Sequence, residues 1–373
     1  MSSFSSPPSL STESSPSVFD KKILAINPGS TSTKVSLFVG EQEVLQAKIN
    51  HDPKELAPFN TITEQKGYRC KLIIDGLKKS GYCSEELDAV VGRGGLLRPI
   101  PSGTYRVNDK MLTDLYDNKR EHASNLGGII AYEIAQKTSA KQAFIVDPVV
   151  VDEFSPLARY SGSKFIERNS IFHALNQKAV ARKIATKLGK EYSVCNFVVA
   201  HMGGGISVAA HTQGRVVDNN NALDGEGPFS PERTGTLPTG QWLDFILESG
   251  YPKNELKKLN KGKGGLMSYL GTTDAMEIER RIATGDQYCD EVYQAMAYQI
   301  SKEIGAYSTV LMGKVDRIIL TGGLAYSTIL VPNIRARVEF IAPLEIIPGE
   351  NEMEALWLGI RRVLENKEQV KEY

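Results

Sequence analysis

Apolar, β-branched runs recur from Lys22 onward and alternate with stretches of helical period, the pattern of an α/β protein. The clearest runs come as two copies of one layout. ILAINPGSTSTKVSLFVGEQEV, opening at Ile23, reads as a strand, a loop of small residues, an alternating strand, a glycine turn and a third strand, and FVVAHMGGGISVAAHTQGRVV, opening at Phe197, repeats it. The two openings divide the chain into halves of similar length, which predicts a duplicated domain with a cleft between the copies. A third strand runs into glycine at RIILTGGLA, Arg317 to Ala325.

Helical spacing of Val292, Met296, Ile300, Ile304, Tyr307 and Leu311 predicts a long helix ahead of that strand, with Asp290 as its N-cap and Gly313 as its stop. A second helix is predicted over Ser170 to Leu188, with Phe172, Leu175, Ala179 and Ile184 inward. It puts His173 near the first turn, where a helix N-terminus attracts anions. The Ser- and Pro-rich residues 1–20 are too poor in apolar surface to offset their ordering entropy and read as a disordered extension with no assigned function. The predicted division is a first domain over 21–175 and a second over 176–351, with the segment 352–373 packing back on the first.

The length of 373 residues allows about two domains, each with its own core. Charge adds an exclusion: 44 basic side chains balance 44 acidic ones, so no global field draws nucleic acid, an anionic membrane or an acidic partner. Any charge chemistry must be local. Cys70, Cys83, Cys195 and Cys289 lie far apart with no C-x-x-C pair, which argues against a zinc ribbon, a redox motif or a disulfide framework. No apolar run approaches the ~18 residues of a membrane span, and the N-terminus lacks signal-peptide character, so a cytoplasmic location is expected.

Local chemistry concentrates at the glycine bends. NPGSTSTK offers an unhindered backbone at Gly29, hydroxyls at Ser30, Thr31, Ser32 and Thr33, and the charge of Lys34, a set that suits phosphate oxygens but also makes ordinary turns. At the second bend, HMGGGIS places Gly203, Gly204 and Gly205 after His201, an entropic cost that makes sense where something must approach the backbone closely. Gly322 and Gly323 repeat the case. Three such bends predict a phosphate-lined cleft, while no G-x-x-x-x-G-K-[ST] occurs and no G-x-G-x-x-G opens a helix after a strand. Polar islands in apolar surroundings complete the candidates: Arg93, His122, Asp147, His173, Arg233 and Glu352. Each also has an ordinary reading as a salt bridge, core histidine, turn former or helix-start charge. Asp147 is the hardest to dismiss, because a carboxylate ending a strand before a Val-rich run is paired, bonded to backbone or holding a metal.

Taken together, NPGSTSTK, VGRGGLLRPIPSGTY, REHASNLGG, DPVVVDEF, SIFHALNQKAVA, HMGGGIS, NNALDGEGPFSPER and LTGGLA resemble the acetate and butyrate kinases, within the superfamily of sugar kinases, heat-shock-70 proteins and actin. The resemblance runs from about Lys22 to near the C-terminus and is greatest to the butyrate-kinase branch. It implies two ribonuclease-H-like domains, each a mixed five-stranded sheet flanked by helices, around a nucleotide cleft. It also implies ATP or ADP with Mg²⁺, reversible phosphoryl transfer to a short-chain carboxylate to give an acyl phosphate, and a homodimer or larger assembly. On matching positions it implies Asn27 and Glu352 near the metal. Lys34, Ser30, Ser32, His201, Gly203, Gly204, Gly205 and the stretch from Gly322 and Gly323 to Tyr326 fall on the nucleotide side, and Asp147, His173, Arg233, Arg93 and His122 in catalysis. There is one departure. The family's substrate arginine falls here at Val90, whereas Arg93 takes the place of a neighbouring histidine, so Arg93 is expected to bind the carboxylate from a shifted position and an acid longer than acetate is expected.

Such an acid is already an anion at pH 7 and needs no general base. The site must instead bring two anions together, so Lys34, Arg93, His173, Arg233 and Mg²⁺ are expected to carry the transition state. Asp147 is expected to orient Mg²⁺ or its waters, although the resemblance leaves proton transfer open, and Phe172 with the valines after Pro148 is expected to wall the acyl tail. Two other readings compete. An alcohol or sugar kinase on the same fold would require a base at Asp147, and an actin- or chaperone-like nucleotide switch would need a peptide-binding domain for which the halves leave no chain.

Overall fold

The computed structural model describes residues 21–117, 122–138 and 141–373, so the expectation for residues 1–20 lies outside the described residues. The first repeated segment folds into β1 (Lys22–Pro28), β2 (Ser32–Val39) and β3 (Gln42–Asn50), each antiparallel to the next. β4 (Ala89–Arg93), β5 (Thr104–Arg106) and β6 (Ala143–Val146) extend the sheet beyond β1 in the order β3-β2-β1-β4-β6-β5, with β4 and β6 parallel to β1 and β5 antiparallel at the edge. After a small hairpin of β7 (Tyr160–Ser163) and β8 (Ile166–Glu167), the second repeat forms β9 (Asn196–Met202), β10 (Ile206–Thr212) and β11 (Arg215–Asn219). With β12 (Arg317–Gly322) and β13 (Leu344–Pro348) it builds the order β11-β10-β9-β12-β13.

The first five strands of one sheet thus match the five of the other in order and direction. Even a register shift recurs, between Leu37 and Phe38 in one hairpin and between Ala210 and His211 in the other. The expected fold class stands, with one strand more than expected in the first sheet. That strand is only three residues long, too short for a period to show in the sequence.

Five helices place the chemistry: α1 (Lys66–Lys79), α2 (Asn125–Ala135), α3 (Ala174–Lys187), α4 (Gln287–Val310) and α5 (Glu352–Leu364). α3 starts later than the predicted Ser170 and leaves His173 at its N-cap. α4 is capped by Asp286, whose side chain accepts from the Cys289 N–H, rather than by Asp290, which lies inside the first turn. Gly285, in the left-handed region at φ 95°, turns the chain into that cap. One face of the first sheet packs on Cys70, Ile73 and Leu77 of α1 and Leu126, Ile129 and Ile130 of α2. Its other face packs on Leu356, Trp357 and Ile360 of α5, with Leu175 of α3. The second sheet is covered by α4 on one face and by Val180, Ala181, Ile184 and Ala185 of α3 on the other, so α3 and α5 lie between the sheets.

This layering lines up two rows of strand ends. Asn27 is next to last in β1, Arg93 closes β4, and Asp147 follows β6. His201 is next to last in β9, Gly322 closes β12, and Glu350 lies just beyond β13. The carboxyl ends of parallel strands are where open α/β sheets receive ligands.

Arg93 is held by a close approach of α2 to β4. A Cβ on Gly92 would lie 2.0 Å from the Gly127 carbonyl oxygen, and one on Gly127 would lie 2.1 Å from that of Arg93. Gly127→Ala is therefore expected to lower the unfolding free energy by about 1–3 kcal/mol. Gly76→Ala, in open space on α1, should instead raise it by about 0.5–1 kcal/mol. Urea unfolding of the two variants distinguishes them, and equal effects would show that the approach constrains nothing.

Candidate active site

The two rows meet through acids that follow β13. Glu352, the first residue of α5, accepts a short hydrogen bond from Asn27 Nδ2 and forms an ion pair with Arg93 Nη1 at 2.8 Å, and Arg93 reaches Asn27 Oδ1 at 3.5 Å. Burial pushes the Glu352 carboxyl up and Glu350 adds to this, while Arg93, Lys34 and Asn27 oppose it. Glu350 stands 3.6 Å from Lys34 Nζ on β2 and comes close to Gly203 on the opposite bend. Its carbonyl accepts from Asn176 Nδ2 at 2.7 Å. The left-handed Asn351, at φ 38°, turns the chain between these two acids.

On the second row, the glycine bend receives an arginine. A Cβ on Gly205 would lie 2.0 Å from Arg233 Nη1, so only glycine fits beneath that guanidinium. Arg233 donates to the Ala222 carbonyl, lies 3.6 Å from Glu232, and keeps a buried Nε with no hydrogen-bond partner among the described residues. His173 stacks on His201 with ring centroids 3.8 Å apart. Burial holds both imidazoles neutral, with His201 near 4 and His173 well below its ordinary value, where His201, Arg233 and Arg93 add to the effect. His122 takes the Ser124 N–H on Nδ1 at 3.2 Å, and burial with Arg93, Lys261 and Arg233 brings it to about 4.

Between the rows lies a cavity of about 100 Å³ lined by Arg93, His122, His173 and Arg233 together with Leu96, Val149, Ile171, Phe172, Ala222 and Leu223. Among the described residues no carboxylate lines it. Of the valines expected in its wall only Val149 takes part, since Val150 and Val151 are buried in the core. Asp147 stands apart from this cavity, facing a smaller one of about 10 Å³ with Arg93, His173 and Glu352. Its Oδ1 accepts from Ser102 Oγ at 2.6 Å and from the Gly103 N–H at 2.8 Å, and Oδ2 faces Arg182 at 3.3 Å. Burial would raise its carboxyl, but Arg182, Lys178, Arg362 and Ser102 outweigh burial and hold it below the usual range. Its backbone is left-handed at φ 38°, as befits a residue fixed by its side chain.

Ser30 is exposed and Ser32 half-buried, outside these two cavities. Beneath their loop lies Arg69 of α1, 1% exposed. Its guanidinium donates to the carbonyls of Gly29 and Ser30 at 2.8 and 3.2 Å and to Thr33 Oγ1 at 3.1 Å, which draws those oxygens inward beneath a fixed positive charge. Sequence reasoning missed Arg69, although its spacing with Ile73 and Leu77 puts a cation on an apolar helix face. It also missed Glu350, one of three acids in a short run. Gly322, left-handed at φ 89°, bridges to Gly349, and Gly323 opens to solvent beside it. Among the described residues no group of three or more His, Cys, Asp or Glu is placed to hold a metal ion. Asn27 and Glu352 offer hard oxygen atoms, and Mg²⁺ takes one or two carboxylates besides water and phosphate, so this pair fits an ion carried in by a nucleotide.

The duplicated fold is shared with solved acetate and propionate kinases. The acetate kinase of Porphyromonas gingivalis matches with a TM-score of 0.76 at 19% identity, over 91% of this chain and 99% of that one. The propionate kinase of Francisella tularensis subsp. tularensis SCHU S4 matches with 0.72 at 18% identity, over 90% and 98%. Residues 155–347 match the acetokinase family, and a probable butyrate kinase of Listeria monocytogenes serotype 4b (strain CLIP80459) is 52% identical over 352 residues, 94% of this chain and 99% of that protein. The chain belongs to the acetokinase family. It is a carboxylate kinase of that family, and no helix among its described residues is long and apolar enough to cross a membrane.

The depressed imidazoles fix a pH response. Unfolded histidine takes a proton near pH 6.5, whereas His51, His122 and His201 do so near 4 in the folded chain, and His173 and His211 do so well below their ordinary value. Between those values the unfolded state binds more protons, so stability falls as pH drops below about 6.5, by up to about 1.4 kcal/mol per pH unit for each histidine, and is level above it. Chemical denaturation at pH 7.5, 6.5, 5.5 and 4.5 should show this. An unchanged unfolding free energy down to 4.5 would mean that the imidazoles are charged in the folded protein.

Proposed function

We propose that the chain transfers the γ-phosphoryl group of ATP to butyrate, reversibly, giving butanoyl phosphate and ADP in the cytoplasm. The observation that carries the reading is the cavity itself, where the described residues place two guanidinium groups and two neutral imidazoles on walls otherwise apolar and bring no carboxylate. Its volume lies well under the roughly 300–1,000 Å³ of sites for drug-sized ligands, which suits a small acid. The 52% identity to a probable butyrate kinase favours four carbons over two.

In this reading Arg93 receives the carboxylate and Arg233, reaching across from the second row, neutralises charge on the phosphoryl group in flight. Arg233 lines the cavity, which puts its charge beside that group. His173 and His122, being neutral, donate hydrogen bonds without adding a charge that would trap the product. The NPGSTSTK and HMGGGIS bends hold the nucleotide's phosphates from opposite sides, with Lys34 near the outermost. Glu352 and Asn27 would hold Mg²⁺ brought by the nucleotide, which would supply charge neutralisation on its phosphates. Asp147 acts as a fixed anion that orients its neighbours, since three donors already occupy its carboxylate. The lobes are assigned to residues 21–175 and 176–351, with 352–373 returning to the first.

Incubation with Mg-ATP, hydroxylamine and unbranched acids of two to six carbons should give hydroxamate from trapped acyl phosphate, most rapidly with butyrate, and EDTA should abolish it. No hydroxamate with any of these acids would reject the reading. Arg233→Ala is expected to cost about a thousandfold in kcat while leaving the protein folded. Ala222→Leu, which fills the cavity, should lower kcat/KM for butyrate relative to acetate by about tenfold, near the value of two methylenes at ~0.8 kcal/mol each. An unchanged ratio would place the acyl tail elsewhere.

A further inference from the structure

The face of α3 toward β10 carries polar side chains that the reaction as described leaves unused. Gln177, Ser207 and His211 are each 0% exposed, and a buried polar group without a partner is costly. Their hydrogen-bond directions follow from one fixed point. The Ser207 carbonyl can only accept, so the Gln177 atom 2.9 Å from it is the amide Nε2. That nitrogen also donates to Ser207 Oγ at 2.8 Å, and the same oxygen receives the His173 N–H at 3.4 Å. With both acceptor positions of Oγ engaged, the hydroxyl hydrogen is left for His173 Nδ1, 2.8 Å away. The His173 ring proton therefore sits on Nε2.

The other end is fixed by the same logic. Gln177 Oε1 accepts from His211 Nε2 at 3.0 Å, so His211 Nδ1 is an acceptor and takes the Tyr192 hydroxyl at 2.8 Å. We infer that Tyr192, His211, Gln177 and Ser207 form a one-way hydrogen-bond relay that sets His173 as its Nε2–H tautomer, so that the cavity it lines meets a donor rather than a lone pair. These four are positioning residues for phosphoryl transfer.

The neighbouring ring shows that the choice is local. Asn176 Nδ2 donates to the Glu350 carbonyl at 2.7 Å, so its Oδ1 accepts from His201 Nδ1 at 2.9 Å and His201 keeps its lone pair on Nε2. Two stacked imidazoles thus carry opposite tautomers. Burial keeps the relay neutral, reinforced by Arg93 and Arg233 about His173 and by Lys178 and Arg182 about His211.

The kinetic arm of the test rests on the carboxylate-kinase reading, and the spectroscopic arm does not. ¹⁵N NMR of the ligand-free full chain labelled at its five histidines, assigned with His173→Gln, should show His173 as Nε2–H alone. Ser207→Ala and, independently, Gln177→Leu should admit the Nδ1–H form, with kcat for acyl phosphate formation falling about 10- to 100-fold and KM for ATP changing less than twofold. A parent protein with His173 protonated on Nδ1 would overturn the inference. So would a Ser207→Ala protein that keeps the single tautomer, or one whose loss lies in KM alone. A tautomer shift in a protein that makes no acyl phosphate would leave the relay standing and remove the reaction instead.

Discussion

Two guanidinium groups surround a cavity to which the described residues bring no carboxylate, and mutual repulsion would open such a site were it not balanced from just outside. Glu352 balances Arg93 and Glu232 stands beside Arg233. Each acid lies outside the cavity wall, so charge is compensated without being cancelled where a ligand would sit. Glu352 does more than neutralise. It takes Asn27 with one oxygen and Arg93 with the other, joining the ends of two adjacent strands. Removing one partner from a buried pair of this kind leaves the other charge stranded, so each holds the other in place.

The same arrangement explains the uneven chemistry of the polar islands. Arg93, His122, His173 and Arg233 converge on one volume, whereas Asp147, placed at the same strand-end level, is occupied by Ser102, Gly103 and Arg182. A carboxylate so fully engaged is a poor base and a good anchor. That geometry disfavours an alcohol kinase, which would need Asp147 free to take a proton.

How much of this the amino-acid sequence disclosed depended on periodicity. The duplicated hairpin was legible because two alternating strands around a glycine bend leave a long pattern, and both copies fold alike. β5 was not legible, since three residues carry no period. The cap of α4 was misplaced by one turn because Asp286 and Asp290 both precede apolar positions, and only the left-handed Gly285 selects the first. Candidate residues showed where a polar side chain interrupts apolar surroundings. The relay through Gln177 and Ser207 did not, because its members look like ordinary helix and strand positions until the helix is laid against the sheet.

The bond between Asn27 and Glu352 spans 325 positions of sequence, and α5, which Glu352 begins, covers one face of a sheet whose central strand is among the first made. A ribosome therefore delivers the whole of the second half before the first half can bury its exposed flank. Until then Ile23, Ala25 and Phe38 have no cover from α5, and Arg93 has no counter-charge from it. Catalytic competence is in this sense a late event in synthesis, and the nascent first half is the portion most exposed to chaperones and to wrong association while it waits.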